Sequence, residues 1–176
     1  MLEIVDSCLQ WMVNHRLNNI PLPVHPAMAA WHPSPYADDG YESWIPIAST
    51  VTNQQLNDLE ASINYALPAD YRCFLQHKHF YELLLGDAEF FPHPIGEWQQ
   101  ILLRQVLTNW PLACQQMGLI PFASWGGAGD LLCFSANSMS PDYPVVLWNH
   151  EDWSIEDFSP NFTSLLDELA TARSLD

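Results

Sequence analysis

Hydrophobic residues recur along the start of the chain at the spacing of an amphipathic helix. From Leu2 to Leu17, apolar side chains return every three or four positions. Glu3 and Asp6 stand near the start of this segment, where the helix dipole favours negative charge. The pattern therefore predicts a first helix over Leu2 to Leu17. Its apolar positions are Val5, Cys8, Leu9, Met12 and Val13.

Prolines interrupt the helical pattern between Pro21 and Pro46. They stand at positions 21, 23, 26, 33, 35 and 46, and each removes a backbone donor and restrains the residue before it. The same segment carries the aromatic residues Trp31, Tyr36, Tyr41 and Trp44. A free linker rarely has so many large rings. We expect an extended stretch that lies on the domain, with a short edge strand near Ser43 to Ile47.

Two further helices are predicted after this segment. Thr52 and Gln55 have the spacing of a capping box, in which each side chain satisfies a free backbone donor of the first turn. Pro68 suits the first turn of the next helix. The apolar positions of the two helices are Leu56, Leu59, Ile63, Tyr71, Phe74 and Leu75.

The second half of the chain predicts mainly strands. Alternation and turn residues indicate strands at Glu89 to Pro92, Leu119 to Trp125, Leu131 to Phe134 and Pro144 to Trp148, with a helix over Glu97 to Asn109. A flexible turn, Gly126 to Asp130, joins the second and third of these strands. Ser159 and Pro160 have the residue types of an N-cap and first helical position. The order of elements predicts a single α+β domain over residues 1–176, with N-terminal helices, a mostly antiparallel sheet and a C-terminal helix.

Three segments, taken in order, carry a family resemblance. Leu67 to Leu75 reads LPADYRCFL, which resembles a helix motif of Leu-Pro, a gap, Asp-Tyr and then Phe-Leu. Ile120 to Phe134 resembles a strand, a Gly-rich turn and a second strand. Pro144 to Glu151, followed by Asn161, Phe162, Leu165 and Leu166, resembles a last strand and closing helix. Together they resemble the SUKH superfamily, in its Smi/Knr-type branch of cell-wall assembly regulators and bacterial toxin-immunity proteins.

The resemblance covers residues 52–169 and has two departures. The family usually carries an Asn-Gly turn after the Phe-Leu helix, where this chain has Gln76 to Tyr81. The first 50 residues, an N-terminal helix and the Pro-rich segment, have no clear counterpart. The resemblance implies an α+β fold and a role as an immunity protein against nuclease or other polymorphic toxins. Related fungal members act as regulatory scaffolds, and the family implies no catalytic residues.

The charge balance restricts the class of partner. Five Lys and Arg face 21 Asp and Glu, which gives a formal net charge of −16. Such a surface repels nucleic acid and anionic lipid, and it attracts a basic protein. The N-terminus lacks the basic start of a signal peptide, and no apolar run reaches the length of about 18 residues that a membrane span needs. We expect a cytoplasmic protein whose four cysteines are reduced.

The acids concentrate around aromatic residues in one segment. Between Ser124 and Asp176 nine acids face one base, and four of these acids surround Trp153 and Phe158. Acids that pair with Lys or Arg, beside a ring that anchors, are typical of a protein interface. The alternative is that the two rings fill the core beneath a solvated loop. The predicted partner-binding residues are Glu151, Asp152, Trp153, Glu156 and Asp157, with Asp130, Asp38 and Asp39 as outlying contributors.

Catalytic, cofactor and metal sites are not predicted. The seven histidines lack zinc spacing, and we expect them to be scattered in loops, with His77 and His79 on different sides of a helix. The Gly-rich turn lacks the order of a phosphate loop, and Cys133 lies in an apolar strand typical of a core. Two alternatives to an immunity protein stay open. One is a regulatory scaffold without a toxin partner, and the other is a hydrolase that uses paired carboxylates.

Overall fold

An antiparallel sheet forms the centre of the fold in a computed structural model of the protein. The structure describes residues 1–21, 23–109, 112–138, 140 and 142–173. Its strands are β1 (Asn19–Ile20), β2 (Glu42–Ser43), β3 (Ile47–Ala48), β4 (Lys78–His79), β5 (Leu83–Leu85), β6 (Ala88–Phe90), β7 (Leu119–Trp125), β8 (Asp130–Ser135), β9 (Val145–Trp148) and β10 (Ile155–Ser159). Within the described residues, six of them form one sheet in the order β10-β9-β8-β7-β6-β5, and each neighbouring pair is antiparallel.

Helices precede, interrupt and follow this sheet. They are α1 (Leu2–Asn14), α2 (Asn53–Ile63), α3 (Ala69–Leu75), α4 (Trp98–Arg104), α5 (Leu112–Gln116) and α6 (Phe162–Arg173). A π-helical turn, Gln105–Asn109, continues α4, so the predicted helix over Glu97 to Asn109 is confirmed with a change of pitch. The predicted α+β class, with a mostly antiparallel sheet and a C-terminal helix, is confirmed.

The first helix ends earlier than predicted. Arg16 adopts a left-handed φ of 55°, and the backbone N–H of Leu17 donates to the carbonyl oxygen of Met12 at 2.9 Å. The N–H of Arg16 donates to the carbonyl of Val13 at 3.1 Å, which completes a Schellman motif. The helix therefore ends at Asn14 rather than Leu17, because the last residues satisfy its carbonyls in this cap.

The Pro-rich segment lies on the domain, as predicted. Strand β2 in this segment pairs with β1 just before it, and β3 just after it pairs with β4. The predicted strand near Ser43 to Ile47 is thus two short strands separated by Trp44 to Pro46. Trp44 is fully buried and packs edge-on against Tyr81, with 6.0 Å between ring centroids. This ring holds the segment beside the start of β5.

The predicted helix start at Thr52 and the four predicted strands of the second half are confirmed. The Thr52 hydroxyl accepts from the N–H of Gln55 at 3.3 Å, and the Gln55 side-chain oxygen accepts from the N–H of Thr52 at 2.9 Å. Strands β7, β8 and β9 match the predicted ranges within one residue. The predicted strand at Glu89 to Pro92 is β6, one residue earlier at its start and two shorter at its end.

Strand β10 and the start of α6 correct the prediction for the C-terminal region. Residues 155–159 form a strand, so Ser159 and Pro160 do not begin the last helix. The helix begins at Phe162, and the Asn161 side-chain oxygen accepts from the N–H of Ser164 at 2.8 Å, as an N-cap does. The error arises because Ser-Pro suits a helix start, whereas here Ser159 pairs with β9.

Aromatic rings link α3 and α6 to the sheet. Phe162 packs edge-on against Tyr71 at 5.2 Å and Phe122 at 5.6 Å between ring centroids. Phe122 stacks on Phe134 at 4.4 Å. All four rings are buried. The Phe and Tyr residues that suggested the family resemblance are therefore core residues.

Asp70 connects the same two helices through hydrogen bonds. Its Oδ2 accepts from the backbone N–H of Thr163 at 3.0 Å and from the Thr163 hydroxyl at 3.1 Å. Its Oδ1 accepts from the N–H of Tyr71 at 2.8 Å. The acid of the Asp-Tyr motif thus caps the N-terminus of a helix distant in sequence, where the helix dipole favours its charge.

Replacing Asp70 is expected to destabilise the fold. Asp70→Ala removes the acceptor for Thr163 and should lower the free energy of unfolding by about 1–2 kcal/mol. Asp70→Asn keeps one side-chain oxygen and should cost about half as much. Urea unfolding followed by circular dichroism measures both. An Asp70→Ala midpoint equal to that of the wild type would show that this cap contributes nothing.

The four cysteines differ in exposure. Cys8, Cys114 and Cys133 are buried, and Cys73 is exposed on α3. The expectation that Cys133 packs in the core is confirmed. Burial raises the pKa of the Cys114 and Cys133 thiols, so both stay protonated.

Candidate functional site

The loop between β9 and β10 is held by its own hydrogen bonds. The Asn149 N–H donates to the carbonyl of Ser154 at 3.0 Å, and the Trp153 N–H donates to the carbonyl of Asn149 at 3.0 Å. The Asn149 side-chain oxygen also accepts from the N–H of Glu151 at 2.8 Å. These bonds fix the loop backbone before any partner arrives. We call residues 149–157, the loop and the first half of β10, the acidic hairpin.

Asp130 ties the acidic hairpin to the neighbouring turn. Its Oδ1 accepts from the backbone N–H of His150 at 3.1 Å and lies 2.8 Å from Nδ1 of that ring. The hydrogen bonds with His150 lower the pKa of Asp130. A Cβ at Gly129, whose φ is +104°, would lie 3.3 Å from the His150 ring, so this position requires glycine.

The structure places the four acids of the hairpin on one loop and on the strand that follows it. Glu151, Asp152, Glu156 and Asp157 are all exposed to solvent. Hydrogen bonds from Ser154, whose N–H lies 2.9 Å from Asp152 Oδ1, lower the pKa of that carboxyl. The hairpin therefore carries a dense negative charge at neutral pH.

Two large apolar side chains are exposed among these acids. Trp153 has a left-handed φ of 63°, and 55% of its surface is exposed. Ile155 is 44% exposed. The alternative that Trp153 fills the core is therefore wrong. Phe158 lies between the two alternatives, because it is half-buried and packs edge-on against Trp125 at 4.8 Å between ring centroids.

Residues 155–159 form a strand that was not predicted. β10 pairs with β9 through Ile155 and Trp148, Glu156 and Leu147, and Asp157 and Val146. A bulge follows between Asp157 and Ser159. Period-two alternation could not reveal the strand because its first three side chains are all exposed.

Asp38 and Asp39 lie elsewhere. They belong to a short 3-10 helix, Ala37–Asp39, within the Pro-rich segment. That segment packs through Trp44 on Tyr81, beside β5, whereas the acidic hairpin contains β10 at the opposite edge of the sheet. The structure therefore does not bring these two acids together with the other predicted partner-binding residues.

His79, which was expected on a helix, and His93, which was expected in a loop, form a buried stack. The helix α3 ends at Leu75, so His79 lies on β4 rather than on a helix with His77. Its ring stacks on His93 with 5.0 Å between centroids. Since the backbone N–H of Thr50 donates to His79 Nε2 at 3.0 Å, this nitrogen carries no proton. Burial lowers the pKa of His79, and burial and then His79 lower that of His93 to about 3.

A second group of acids lines a small cavity beside α4. Glu82, Glu89 and Glu97 surround a space of about 240 Å³ together with Tyr81 and Ile101. Burial, and then the charge of Glu89, raise the pKa of Glu82. This volume is below the range of roughly 300–1,000 Å³ that is usual for small-molecule sites. Within the part of the chain that the structure describes, no group of three His, Cys, Asp or Glu residues could hold a metal ion.

Comparison with known proteins places this geometry in a family. Among the described residues, no helix has the length and apolarity to cross a membrane. None of the curated proteins matches the chain. A family model described as the SMI1 / KNR4 family (SUKH-1) matches residues 50–168, close to the range 52–169 predicted from the motifs. This match spans more than half of the chain and includes α2, α3, the six-stranded sheet and most of α6. The chain therefore belongs to the SMI1 / KNR4 family (SUKH-1).

Proposed function

We propose that the chain is a non-catalytic immunity protein that neutralises a bacterial toxin domain with a basic surface. The observation that supports this most is the acidic hairpin, in which four exposed acids surround an exposed tryptophan on a fixed loop. If the toxin is a nuclease, the acids would occupy the places where its Lys and Arg side chains bind substrate phosphate. Such a protein acts in the cytoplasm, where it keeps the toxin from its substrate.

The fixed loop favours tight binding. Ordering a flexible loop on association costs free energy, and a preformed loop avoids much of that cost. Asn149 and Asp130 supply the hydrogen bonds that hold it. Long-range attraction between the net charge of −16 and a basic partner also speeds the encounter.

The proposal is tested with the toxin domain encoded directly upstream of the chain's gene. The two purified proteins are expected to form a tight complex at low salt and to dissociate more readily as the salt concentration rises. The toxin is expected to lose its activity in the complex. Isothermal titration at several salt concentrations measures this. The absence of binding at low salt, or the absence of such a gene, contradicts the proposal.

Trp153 is expected to anchor the partner. Trp153→Gly removes the ring but suits the left-handed backbone, so the free energy of unfolding should change by no more than about 1 kcal/mol. Removing a buried interface tryptophan commonly costs about 2 kcal/mol or more of binding, which corresponds to roughly thirtyfold weaker affinity. Trp31→Gly, which alters a ring that is also exposed, is the matched control and should bind normally. Equal affinities for the two variants would exclude the anchor.

A hydrolase is a second candidate, because Glu82 and Glu89 share a partly buried cavity and the pKa of Glu82 is raised. A raised pKa suits a general acid. This candidate predicts turnover of a small glycoside or ester that Glu82→Gln abolishes without loss of folding. A regulatory scaffold remains the third possibility, and it predicts several weaker partners in a native lysate and no toxin complex.

A further inference from the structure

The outer edge of β10 is open. It is the last strand in the order of the sheet, and across the described ranges no strand pairs with its other side. A strand edge of this kind exposes backbone donors and acceptors that can pair with another chain. The exposed stretch is short, because a bulge between Asp157 and Ser159 ends the regular pairing.

The hydrogen-bond pattern shows which backbone groups point outward. The Asn149 N–H donates to the carbonyl of Ser154 across β9 and β10. Hydrogen-bonded pairs alternate with non-bonded pairs in an antiparallel ladder. Because Asn149 and Ser154 form a bonded pair, the next pair, Ile155 with Trp148, is non-bonded. The pair after it, Glu156 with Leu147, is bonded again. The backbone N–H and C=O groups of Ile155 and Asp157 therefore point away from β9.

The neighbouring ladder gives the same result independently. The Ser135 N–H donates to the carbonyl of Pro144 across β8 and β9. By the same alternation, the backbone N–H and C=O groups of Val146 and Trp148 point toward β8. Those of Leu147 point toward β10. Both ladders thus leave two donors and two acceptors, on Ile155 and Asp157, on the open edge.

The side chains select what can pair there. If two copies of this edge paired antiparallel about Glu156 or about Asp157, that acid would lie opposite its own copy, and like charges directly opposite destabilise a sheet. A strand with basic residues opposite the acids would instead gain opposite-charge pairs. The exposed Ile155 adds an apolar position. The edge therefore discriminates against a second copy and favours an extended basic segment.

We infer that the partner adds an extended segment to β10 as an antiparallel strand, with the residue order basic, basic, apolar opposite Asp157, Glu156 and Ile155. This inference rests on the proposed function and specifies how the acidic hairpin recognises its partner. Backbone hydrogen bonds would supply affinity, and the two acids would set the register. Trp153 lies at the start of this edge and would cover the end of the added strand.

Three synthetic peptides test the inference on the unaltered full chain. The first is acetyl-Thr-Lys-Lys-Val-Thr-amide. The second carries N-methyl groups on the first Lys and on Val, whose N–H groups would face β10. The third carries one N-methyl group on the second Lys, whose N–H would point away from β10. All three have the same charge, so their differences report backbone pairing rather than attraction between charges.

We expect the first and third peptides to bind at low salt and to slow hydrogen exchange of the Ile155 and Asp157 amides, measured by NMR. The second peptide should bind at least about tenfold more weakly, since it loses two backbone hydrogen bonds. No binding of the first peptide at millimolar concentration, or equal binding of the second and third, overturns strand addition. Failure here with an intact, salt-sensitive toxin complex contradicts only this inference, whereas failure of the toxin complex contradicts the proposed function.

Discussion

Acidification from pH 6.5 to pH 4.5 is expected to remove about 2 kcal/mol of stability through His93 alone. The folded pKa of this buried ring is about 3, well below the value of about 6.5 of an unfolded histidine. Between pH 3 and pH 6.5, the His93 ring is protonated in the unfolded chain but not in the folded chain. The contribution is therefore complete above pH 6.5 and is lost as the pH falls toward 3. A loss of this size is a large part of the 5–15 kcal/mol that is typical of a domain.

The variant His93→Phe isolates this effect from the many carboxylates. It keeps an aromatic ring beside Phe80 and Trp98 but cannot take up a proton. It loses the contact of His93 Nδ1 with the carbonyl of Lys78 at 3.1 Å, which lowers stability by a similar amount at every pH. The slope of unfolding free energy against pH, from urea titrations at pH 4.5 to 7.5, should therefore be smaller in the variant. If the unfolding free energy of the two proteins has the same slope against pH, the buried His93 ring does not have the lowered pKa on which this prediction depends.

Reversing two charges of the acidic hairpin is expected to weaken the toxin complex at least about a hundredfold. Glu156→Lys with Asp157→Lys places two cations where the basic partner must approach. Lysine is common on edge strands, so the fold should keep its stability. Titration calorimetry at low salt measures the affinity, and thermal unfolding checks the fold.

The double variant Asp38→Lys with Asp39→Lys is the matched control. It adds the same four units to the formal net charge of −16, but at the Pro-rich segment beside β5 rather than on β10. If the local contacts matter, this control should lose at most a few-fold in affinity, through weaker long-range attraction. Equal losses in both double variants would mean that net charge alone drives association. Intact binding in both would contradict the acidic hairpin as the interface.

Much of the fold could be predicted because its elements have strong local patterns. The capping residues Thr52 and Gln55 and the apolar strand from Leu119 to Trp125 each have a local cause. The same locality explains the errors. Ser159 and Pro160 have the residue types of a helix start, but pairing with β9 places Ser159 in a strand. Tertiary pairing overrode the local preference there.

The site could be predicted only in part for the same reason. The concentration of acids around Trp153 is visible in the sequence, and it predicted the partner-binding residues that form the acidic hairpin. Which acids lie together depends on the order of the strands, so the distance of Asp38 and Asp39 from the hairpin could not be inferred. The stack of His79 on His93 and the bond from Asp130 to His150 join residues that no local pattern connects.

The single exposed thiol among the four cysteines has a practical consequence. Cys73 lies on the surface of α3, whereas the other three thiols are buried. A maleimide dye should therefore react with the native protein at this one position, without any engineered substitution. Since α3 is not part of the acidic hairpin, the dye would report on partner capture by fluorescence anisotropy or energy transfer while leaving the hairpin unmodified.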